Sequence, residues 1–194
     1  MKIRRALTGD IDRLGDLLSQ VLDVHHNARP DIFRSGARKY TDSELREILC
    51  DESRPVFVYE DDEGSVLGYA FCIFIRHEND NILTDINTLY IDDLCVDSKC
   101  RGKGIGKALY NYVLDFARAA GCYNVTLNVW ADNASALGFY ESLGLRKQKI
   151  GMEKILGFRS DRERRNQADR AFCASAPSNR VHGESRSDPP SAQI

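Results

Sequence analysis

The sequence lacks a long apolar segment, because its longest strongly apolar run, YAFCIFI, covers only residues 69–75. A helix needs about 20 apolar residues to cross a bilayer, so this run is typical of a buried strand. The N-terminal residues MKIRRALTGD also lack the apolar core of a secretory signal. We therefore expect a cytoplasmic protein with no membrane partner.

Metal-site and redox motifs are absent as well. The six cysteines form no CxxC pair and stand at no metal-like spacing from the four histidines. Several cysteines lie in apolar stretches, where cysteine behaves as a small hydrophobic residue. We therefore expect reduced thiols and no metal. No repeat of fixed period is present, and 194 residues are enough for one ordinary domain.

The net charge of −2 conceals an uneven distribution of charged residues. Residues 1–93 contain 11 basic and 19 acidic side chains, whereas residues 94–156 contain 9 basic and 5 acidic ones. An acidic first half and a basic middle would suit a cationic substrate that meets a polyanionic cofactor. Scattered surface charge explains the same counts equally well.

The C-terminal residues differ in composition from everything before them. The segment SAPSNRVHGESRSDPPSAQI is rich in serine, proline and arginine and has almost nothing to bury. We predict a single domain at 1–156, followed by a polar, disordered extension at 157–194. The arginines of this extension could contact nucleic acid, but a solvated tail is the better interpretation.

Apolar periodicity predicts alternating strands and helices in the first 156 residues. The stretches PVFVYE and SVLGYAFCIF flank the acidic turn DDEG and predict a hairpin. A capping box formed by Thr41 and Glu44 predicts the start of a helix. Other strands are predicted at 3–7, 89–96, 124–130 and within 145–156. Helices are predicted from a cap at Thr8 or Asp10 to Leu22 and at 41–49, 104–120 and 134–144, and residues 25–40 are predicted to form a loop.

The stretch CRGKGIGKAL, residues 100–109, places three glycines at alternate positions between a predicted strand and a predicted helix. Glycine weakens a helix by about 1 kcal/mol relative to alanine, so the pattern indicates that another group approaches this backbone. The first amides of a helix lack intrahelical partners and attract anions. Basic residues at 101, 103 and 107 strengthen this prediction of a phosphate site.

Two common phosphate-binding motifs do not fit this stretch. A dinucleotide fingerprint requires GxGxxG, whereas the spacing here is GxGxG, with no suitable acidic residue after a second strand. A nucleoside-triphosphate loop, GxxxxGK[ST], would need glycine in place of Arg101 and a hydroxyl residue in place of Ala108.

A third motif fits: Arg101-x-x-Gly104-x-Gly106 resembles the acyl-CoA loop of the GNAT superfamily of N-acetyltransferases. The stretch NASALGFYESLGL, residues 133–145, resembles the second motif of that family. The likeness is close over about 89–156 and loose over 1–88. It implies a mixed α/β fold with a central sheet of about seven strands, helices on both faces, and two parallel strands, the fourth and fifth, that splay apart. Family members often dimerise, so a homodimer is one option.

The resemblance implies that an acetyl group passes from acetyl-CoA to an amine by direct attack, without a metal. It places the pantetheine arm against the backbone of Leu94, Cys95 and Val96, with the Cys95 amide as the donor to the developing oxyanion. Asn133 would bind the same arm, cap the following helix, or do both. The pyrophosphate would lie on the loop formed by Arg101, Gly102, Lys103, Gly104, Ile105, Gly106 and Lys107.

Among the candidate catalytic residues, the resemblance implies Tyr140 as the general acid, since a phenol stays protonated at neutral pH. Its alternative role is that of a core aromatic. By similarity to the acidic position of polyamine and aminoglycoside acetyltransferases, Asp92 is the preferred base. Strand alternation predicts Asp92 and Asp93 on opposite faces, with Asp93 anchoring a loop. His25 and His26 are further candidates for the base.

The amine acceptor, a small molecule or a peptide, stays open among a polyamine, an aminoglycoside, an amino acid and a protein amine. The acidic first half favours a cationic acceptor, whereas Arg29, Arg34, Arg38 and Lys39 favour one that carries a carboxylate. Cys95 is better explained as a small buried residue than as a nucleophile. A different functional class also fits the resemblance, namely a catalytically silent CoA-binding module with regulatory or interaction roles.

Overall fold

The computed structural model describes residues 1–157. Residues Met1–Arg146 form one compact unit, and residues 147–157 form neither helix nor strand. The extension predicted at 157–194 therefore falls, except for Gly157, outside the described residues.

The compact unit contains five strands and four α-helices, in an order close to the predicted one. The strands are β1 (Lys2–Arg5), β2 (Val56–Glu60), β3 (Val66–Arg76), β4 (Asn87–Val96) and β5 (Asn124–Leu127), and the helices are α1 (Ile11–Ala28), α2 (Asp42–Cys50), α3 (Ile105–Ala119) and α4 (Ala134–Ser142). Short 3₁₀ turns at Thr8–Asp10 and Ser98–Cys100 precede α1 and the glycine stretch.

The five strands form one mixed sheet in the order β1-β2-β3-β4-β5. The first four are antiparallel neighbours, and β5 pairs in parallel with β4 after the crossover through α3. This confirms a mixed α/β fold. The count of about seven strands is not confirmed, because residues 145–156 form no strand. Ile150 and Met152 of that segment are exposed, so it lacks the buried face that fixes a strand register.

Hydrophobic clusters cover both faces of the sheet, as predicted. On one face, Leu14, Leu17 and Leu45 of α1 and α2 are completely buried against β2 and β3. On the other face, Tyr110 and Val113 of α3 pack against β3 and β4. Full burial of such a side chain contributes about 1.5–3 kcal/mol to the free energy of folding. The two clusters therefore hold β4 and α3 in place, and the candidate site lies where these two elements meet.

Helix α1 is longer than the sequence indicated. It ends at Ala28 and therefore includes His25 and His26, which were predicted to lie in a loop. The helix stops where Pro30 restricts the residue before it, and Arg29 accordingly has the non-helical angles φ −138° and ψ 71°. The capping box of α2 is confirmed: Glu44 N donates to Thr41 Oγ1 at 3.2 Å, and Thr41 N donates to Glu44 Oε2 at 2.7 Å.

Candidate active site

The parallel strands β4 and β5 are paired over only part of their length. Their pairing runs from Thr88 with Asn124 to Ile91 with Leu127, where β5 ends, three residues before the predicted end at 130. Strand β4 continues to Val96 and stays paired with β3. Beyond Ile91, the edge of β4 that faces away from β3 is therefore not covered by β5.

A β-bulge in β4 lies at the start of this open edge. Ile91 pairs with Cys72 and Asp93 pairs with Phe71, so Asp92 is left without a partner on β3. A bulge shifts the alternation of side chains along the strand by one residue. The prediction that Asp92 and Asp93 occupy opposite faces assumed regular alternation and is wrong, since both carboxylates contact the same ammonium group.

The hydrogen bonds of β4 identify which backbone groups point to the open edge. Asp97 N donates to Leu67 O at 2.9 Å, and in an antiparallel ladder the residues bonded to the neighbouring strand alternate. Cys95 therefore directs its backbone groups to β3, whereas Leu94 and Val96 direct theirs to the open edge. This alternation disfavours Cys95 as the oxyanion donor and leaves the Leu94 and Val96 amides as candidates.

The Cys95 side chain belongs to the core on the other side of the strand. Its Sγ lies 3.6 Å from the carbonyl oxygen of Leu17 in α1. Burial raises the pKa of the Cys95 thiol to about 12. A thiol that stays protonated is a poor nucleophile, which agrees with the structural role predicted for it.

The glycine stretch leaves the N-terminus of α3 without a side-chain cap. Gly102 and Gly104 have φ of +77° and +81°, a left-handed conformation that favours glycine. Gly104 is the N-cap residue and has no side chain to bond the first amides of the helix. A Cβ at Gly102 or Gly104 would meet nothing within 4 Å, and the flanking basic side chains of Arg101, Lys103 and Lys107 are exposed. These amides are therefore free to donate hydrogen bonds to an anion.

The loop that holds this N-terminus is fixed to the rest of the fold. Buried Asp97 accepts a hydrogen bond from Lys99 N at 2.9 Å and forms an ion pair with Arg13 of α1. The Arg13 hydrogen bond lowers the pKa of Asp97, so the ion pair persists at neutral pH. Arg101 Nε donates to Val96 O at 3.3 Å, which joins the loop to the open edge of β4.

Two residues of the predicted phosphate loop also have packing roles. The Ile105 side chain is buried, which leaves its backbone amide as the group that could contact a ligand. A Cβ at Gly106 would lie 3.3 Å from Phe139 Cζ and 3.6 Å from Val96 Cγ2. Glycine at 106 therefore lets α4 approach α3 closely.

Helix α4 carries the second group of candidate residues. Asn133 Oδ1 accepts a hydrogen bond from Ala136 N at 3.1 Å, so the predicted capping role is confirmed. The Tyr140 ring packs 6.3 Å from the ring of Tyr110 and is partly buried. Burial raises the pKa of Tyr140, and the negative charge of Asp93 raises it further. The Tyr140 hydroxyl is thus protonated at neutral pH.

The two carboxylates of the bulge bind a lysine that sequence reasoning did not place there. Lys39 Nζ, from the loop between α1 and α2, lies 3.0 Å from Asp92 Oδ2 and 3.3 Å from Asp93 Oδ2. Tyr40 Oη donates to Asp92 Oδ2 at 3.3 Å. No local pattern links position 39 to position 92, so only the folded chain reveals this cluster.

Asp93 is the more buried member of the carboxylate pair, with 11% of its side chain exposed against 24% for Asp92. Burial raises the pKa of Asp93, and the positive charge of Lys39 offsets part of that increase. Burial lowers the pKa of Lys39, but Asp93 and Asp92 outweigh this effect, so the pKa is raised overall.

A groove of about 300 Å³ lies between the end of α1 and the turn that precedes α4. The Phe33 ring stacks on His25 with the ring centroids 5.0 Å apart and meets Trp130 edge-on at 5.2 Å. Burial lowers the pKa of His25 in this groove, whereas the negative charge of Asp93 raises it and the positive charge of Lys39 lowers it. The lining includes Val24, His25, Phe33, Trp130, Asp132 and Asn133.

The second histidine has a structural role. His26 Nδ1 lies 2.8 Å from the carbonyl oxygen of Phe33, to which it donates in the appropriate tautomer. This bond holds the loop that carries Phe33 against α1. His25 lines the groove, whereas His26 supports its wall.

Within residues 1–157, no group of three or more His, Cys, Asp or Glu side chains is arranged to hold a metal ion. In the same part of the chain, none of the helices has the length and apolar character needed to cross a membrane.

The sequence family agrees with this geometry. A family model described as the acetyltransferase (GNAT) family matches residues 21–145, which is more than half of the chain. The chain belongs to the GNAT acetyltransferase family. The resemblance drawn from residues 100–109 and 133–145 is therefore confirmed.

Curated relatives of this GNAT chain include named N-acetyltransferases. N-acetyltransferase 8B of Homo sapiens is 31% identical over 121 residues, which cover 56% of this chain and 49% of that protein. Glucosamine 6-phosphate N-acetyltransferase of Arabidopsis thaliana is 37% identical over 65 residues, 34% of this chain and 42% of that protein. The chain spans about half the length, or less, of these curated relatives.

The GNAT fold also occurs in solved structures that are similar over most of this chain. A mutant of the BH1408 protein from Bacillus halodurans has a TM-score of 0.77 and 32% sequence identity. The similar region covers 80% of this chain and 99% of that protein. The fold described for the compact unit is thus shared with an experimentally determined structure.

Proposed function

We propose that this chain is an N-acetyltransferase that moves an acetyl group from acetyl-CoA to a primary amine by direct attack. The observation that supports this most strongly is the position of the α3 N-terminus. Its first amides have no side-chain cap, and Arg101 joins their loop to the open edge of β4. A diphosphate bound there would have its attached arm beside the two candidate backbone amides.

The residues present fit acetyl-CoA, which supplies the activated acyl group as a thioester. The pyrophosphate is held by the amides that open α3 together with the charges of Arg101, Lys103 and Lys107. The pantetheine arm lies along the open edge of β4, where Leu94 and Val96 direct their backbone groups. Asn133 caps α4 with its Oδ1 and offers its amide nitrogen to the same arm.

The catalytic groups of this chain hold and move protons around the reacting atoms. The amide of Leu94 or Val96 stabilises the negative charge that develops on the carbonyl oxygen. Tyr140, kept protonated by burial, donates its proton to the leaving sulfur. The carboxylates of Asp92 and Asp93 bind the acceptor as an ammonium and accept its proton. Burial raises the pKa of Asp93, which makes it a stronger base than an ordinary aspartate.

The acceptor is proposed to be a small cationic amine that enters through the groove. Arg29 pairs with Asp31, Arg38 with Asp42, and Lys39 with the bulge carboxylates, so these cations are already engaged with acids of this chain. The case for an acceptor that carries a carboxylate is weaker as a result. The aromatic walls formed by Phe33 and Trp130 suit the face of an apolar or cationic group.

The alternative, a catalytically silent CoA-binding module, is less favoured. Such a module would need the phosphate loop but not a buried, protonated phenol on α4 or a carboxylate pair at the bulge. Tyr140, Asp92 and Asp93 are all present, with the two carboxylates at the bulge of β4 and Tyr140 packed against Tyr110 of α3.

Two measurements test the proposed function. Calorimetry of the full chain with CoA measures binding, and release of free thiol from acetyl-CoA in the presence of a panel of primary amines measures transfer. We expect CoA to bind and at least one amine to be acetylated, with turnover reduced about 10²-fold or more in Tyr140→Phe. Binding of CoA without thiol release for any amine would favour the silent module, and absence of binding would refute both.

A further inference from the structure

The loop between α1 and α2 brings an amine of the protein itself to the carboxylate pair. Lys39 Nζ lies 3.0 Å from Asp92 and 3.3 Å from Asp93, and it also lies 5.4 Å from the centre of the Tyr40 ring. An ammonium with two carboxylates and an aromatic face has the environment that an amine acceptor would need. Lys39 therefore occupies the position assigned above to the acceptor.

The bonding of Lys39 is specific to this position. The adjacent Arg38 turns away and pairs with Asp42 at 2.7 Å on the first turn of α2. Lys39 instead reaches a bulge more than 50 residues away along the chain, and its side chain remains 36% exposed. The nitrogen is thus held at the bulge of β4 on a side chain that solvent still reaches.

We propose that Lys39 is a self-acetylation site: in the absence of an external amine, its Nζ accepts the acetyl group from acetyl-CoA within the same molecule. This inference rests on the proposed function. The loop that carries Lys39 has no helix or strand between Arg29 and Thr41, and the bulge that binds its Nζ directly precedes Leu94, whose backbone groups point to the open edge.

The reaction balances with the groups at the site. The Lys39 ammonium loses one proton to Asp93, and the freed lone pair forms the nitrogen–carbon bond to the acyl group. The carbon–sulfur bond breaks, its electron pair leaves with sulfur, and sulfur takes the Tyr140 proton. Solvent returns a proton to Tyr140 and removes one from Asp93 and one from the new amide nitrogen. The net products are an Nζ-acetyl-lysine, free CoA thiol and one released proton.

Self-acetylation also removes the charge that binds Lys39 to the carboxylates. An acetylated nitrogen has no positive charge and cannot form the two ion pairs with Asp92 and Asp93. An external ammonium that occupies the pair first would, conversely, displace Lys39 and protect it. Labelling of Lys39 and binding of an external amine are therefore expected to compete.

The test incubates the full chain with isotopically labelled acetyl-CoA at mildly alkaline pH, without any other amine. Intact-mass spectrometry counts the added groups, and peptide mapping locates them. We expect one labelled acetyl group on Lys39, formed about tenfold or more faster than on the exposed control lysines Lys149 and Lys154. The first-order rate constant should not change with protein concentration.

Two variants and a competing amine test whether the label on Lys39 comes from the proposed reaction. Lys39→Arg, which keeps the ion pair, should remove the label from position 39, and Tyr140→Phe should slow it about 10²-fold. A saturating concentration of a small primary amine that the enzyme acetylates should suppress it. Label spread evenly over exposed lysines, or a Lys39 rate that grows with protein concentration, would overturn the proposal.

Failure of this inference is distinguishable from failure of the proposed function. If calorimetry shows CoA binding and external amines are acetylated while Lys39 stays unlabelled, Lys39 is a pairing residue and self-acetylation is wrong. If CoA does not bind at all, the proposed function fails first and this inference with it.

Discussion

Phe139 Cζ lies 3.3 Å from the point that a Cβ at Gly106 would occupy. This contact sets the distance between α3, which opens at the phosphate loop, and α4, which carries Tyr140. A methyl group at 106 would push Phe139 and with it the neighbouring Tyr140 phenol, the proposed general acid. We expect Gly106→Ala to lower kcat about tenfold and to cost about 1–3 kcal/mol in the free energy of unfolding. Steady-state kinetics and urea unfolding measure the two effects.

Gly138, on α4 itself, provides the matched control for this substitution. A Cβ there would meet nothing within 4 Å, and its φ is not positive. Gly138→Ala should therefore stabilise the protein by about 0.5–1 kcal/mol through its effect on the helix and leave kcat unchanged. If Gly106→Ala behaves like Gly138→Ala, the close packing of α4 does not position Tyr140.

The buried carboxylate of Asp93 should matter more to activity than to stability. Its pKa is raised in the folded state, so the charged form costs stability at every pH above that value. Asp93→Asn removes this cost, and we expect an unchanged or higher melting temperature with a loss of about 10²-fold or more in kcat. Asp92→Asn serves as the comparison at the neighbouring, more exposed position.

The two asparagine variants separate the assignments drawn from sequence and from structure. Sequence similarity preferred Asp92 as the base, whereas burial and the raised pKa favour Asp93. A larger loss of kcat in Asp92→Asn than in Asp93→Asn would return the role of base to Asp92. A large loss of stability in Asp93→Asn would instead indicate that the Lys39 ion pair supports the fold.

The acid side of the pH profile should depend on Lys39. As the proposed base, Asp93 accepts a proton only when it is ionised. Activity should therefore fall as the pH drops through its pKa, which lies above that of an ordinary aspartate. The positive charge of Lys39 lowers that pKa. Lys39→Met should therefore move the acid limb of kcat/KM to higher pH. A limb that stays in place, measured over pH 5–8, would show that another group controls it.

The sequence predicted the parts of this molecule that depend on local patterns. The glycine spacing at 102, 104 and 106 predicted a helix start open to an anion, and α3 begins there without a side-chain cap. Thr41 with Glu44 predicted a helix start in which both bonds form. Such features need only neighbouring residues and the standard geometry of a helix terminus.

Features that depend on strand pairing could not be predicted from the sequence. The bulge at Asp92 arises from the register between β3 and β4. Regular alternation, which ignores the bulge, puts Asp92 and Asp93 on opposite faces of the sheet. The same register decides that Leu94 and Val96, not Cys95, face the open edge. Lys39 meets Asp92 and Asp93 only because folding brings the loop between α1 and α2 to the bulge of β4.

The basic residues of the glycine stretch should determine CoA affinity and its salt dependence. Arg101→Gln and Lys103→Gln each remove a positive charge beside the open α3 N-terminus, and we expect each to raise the Kd for CoA about three- to tenfold. Lys99→Gln removes another exposed charge just before the stretch and is the matched control. Calorimetry at two ionic strengths measures the effect, which should shrink at high salt for the first two variants. Equal effects in all three variants would indicate general attraction without a defined phosphate site.

The aromatic wall of the groove should govern acceptor binding without changing the chemical step. Trp130 meets Phe33 edge-on at 5.2 Å and is 41% exposed, so its removal opens the groove without emptying the core. We expect Trp130→Ala to raise KM for the amine about tenfold while kcat and the Kd for CoA stay within about twofold, since the groove binds substrate and transition state alike. Tyr123 is a more exposed aromatic residue outside the groove lining, so Tyr123→Ala should leave KM for the amine and kcat unchanged. A fall in kcat at unchanged KM would place Trp130 at the reacting atoms, and the acceptor would then enter the site by another route.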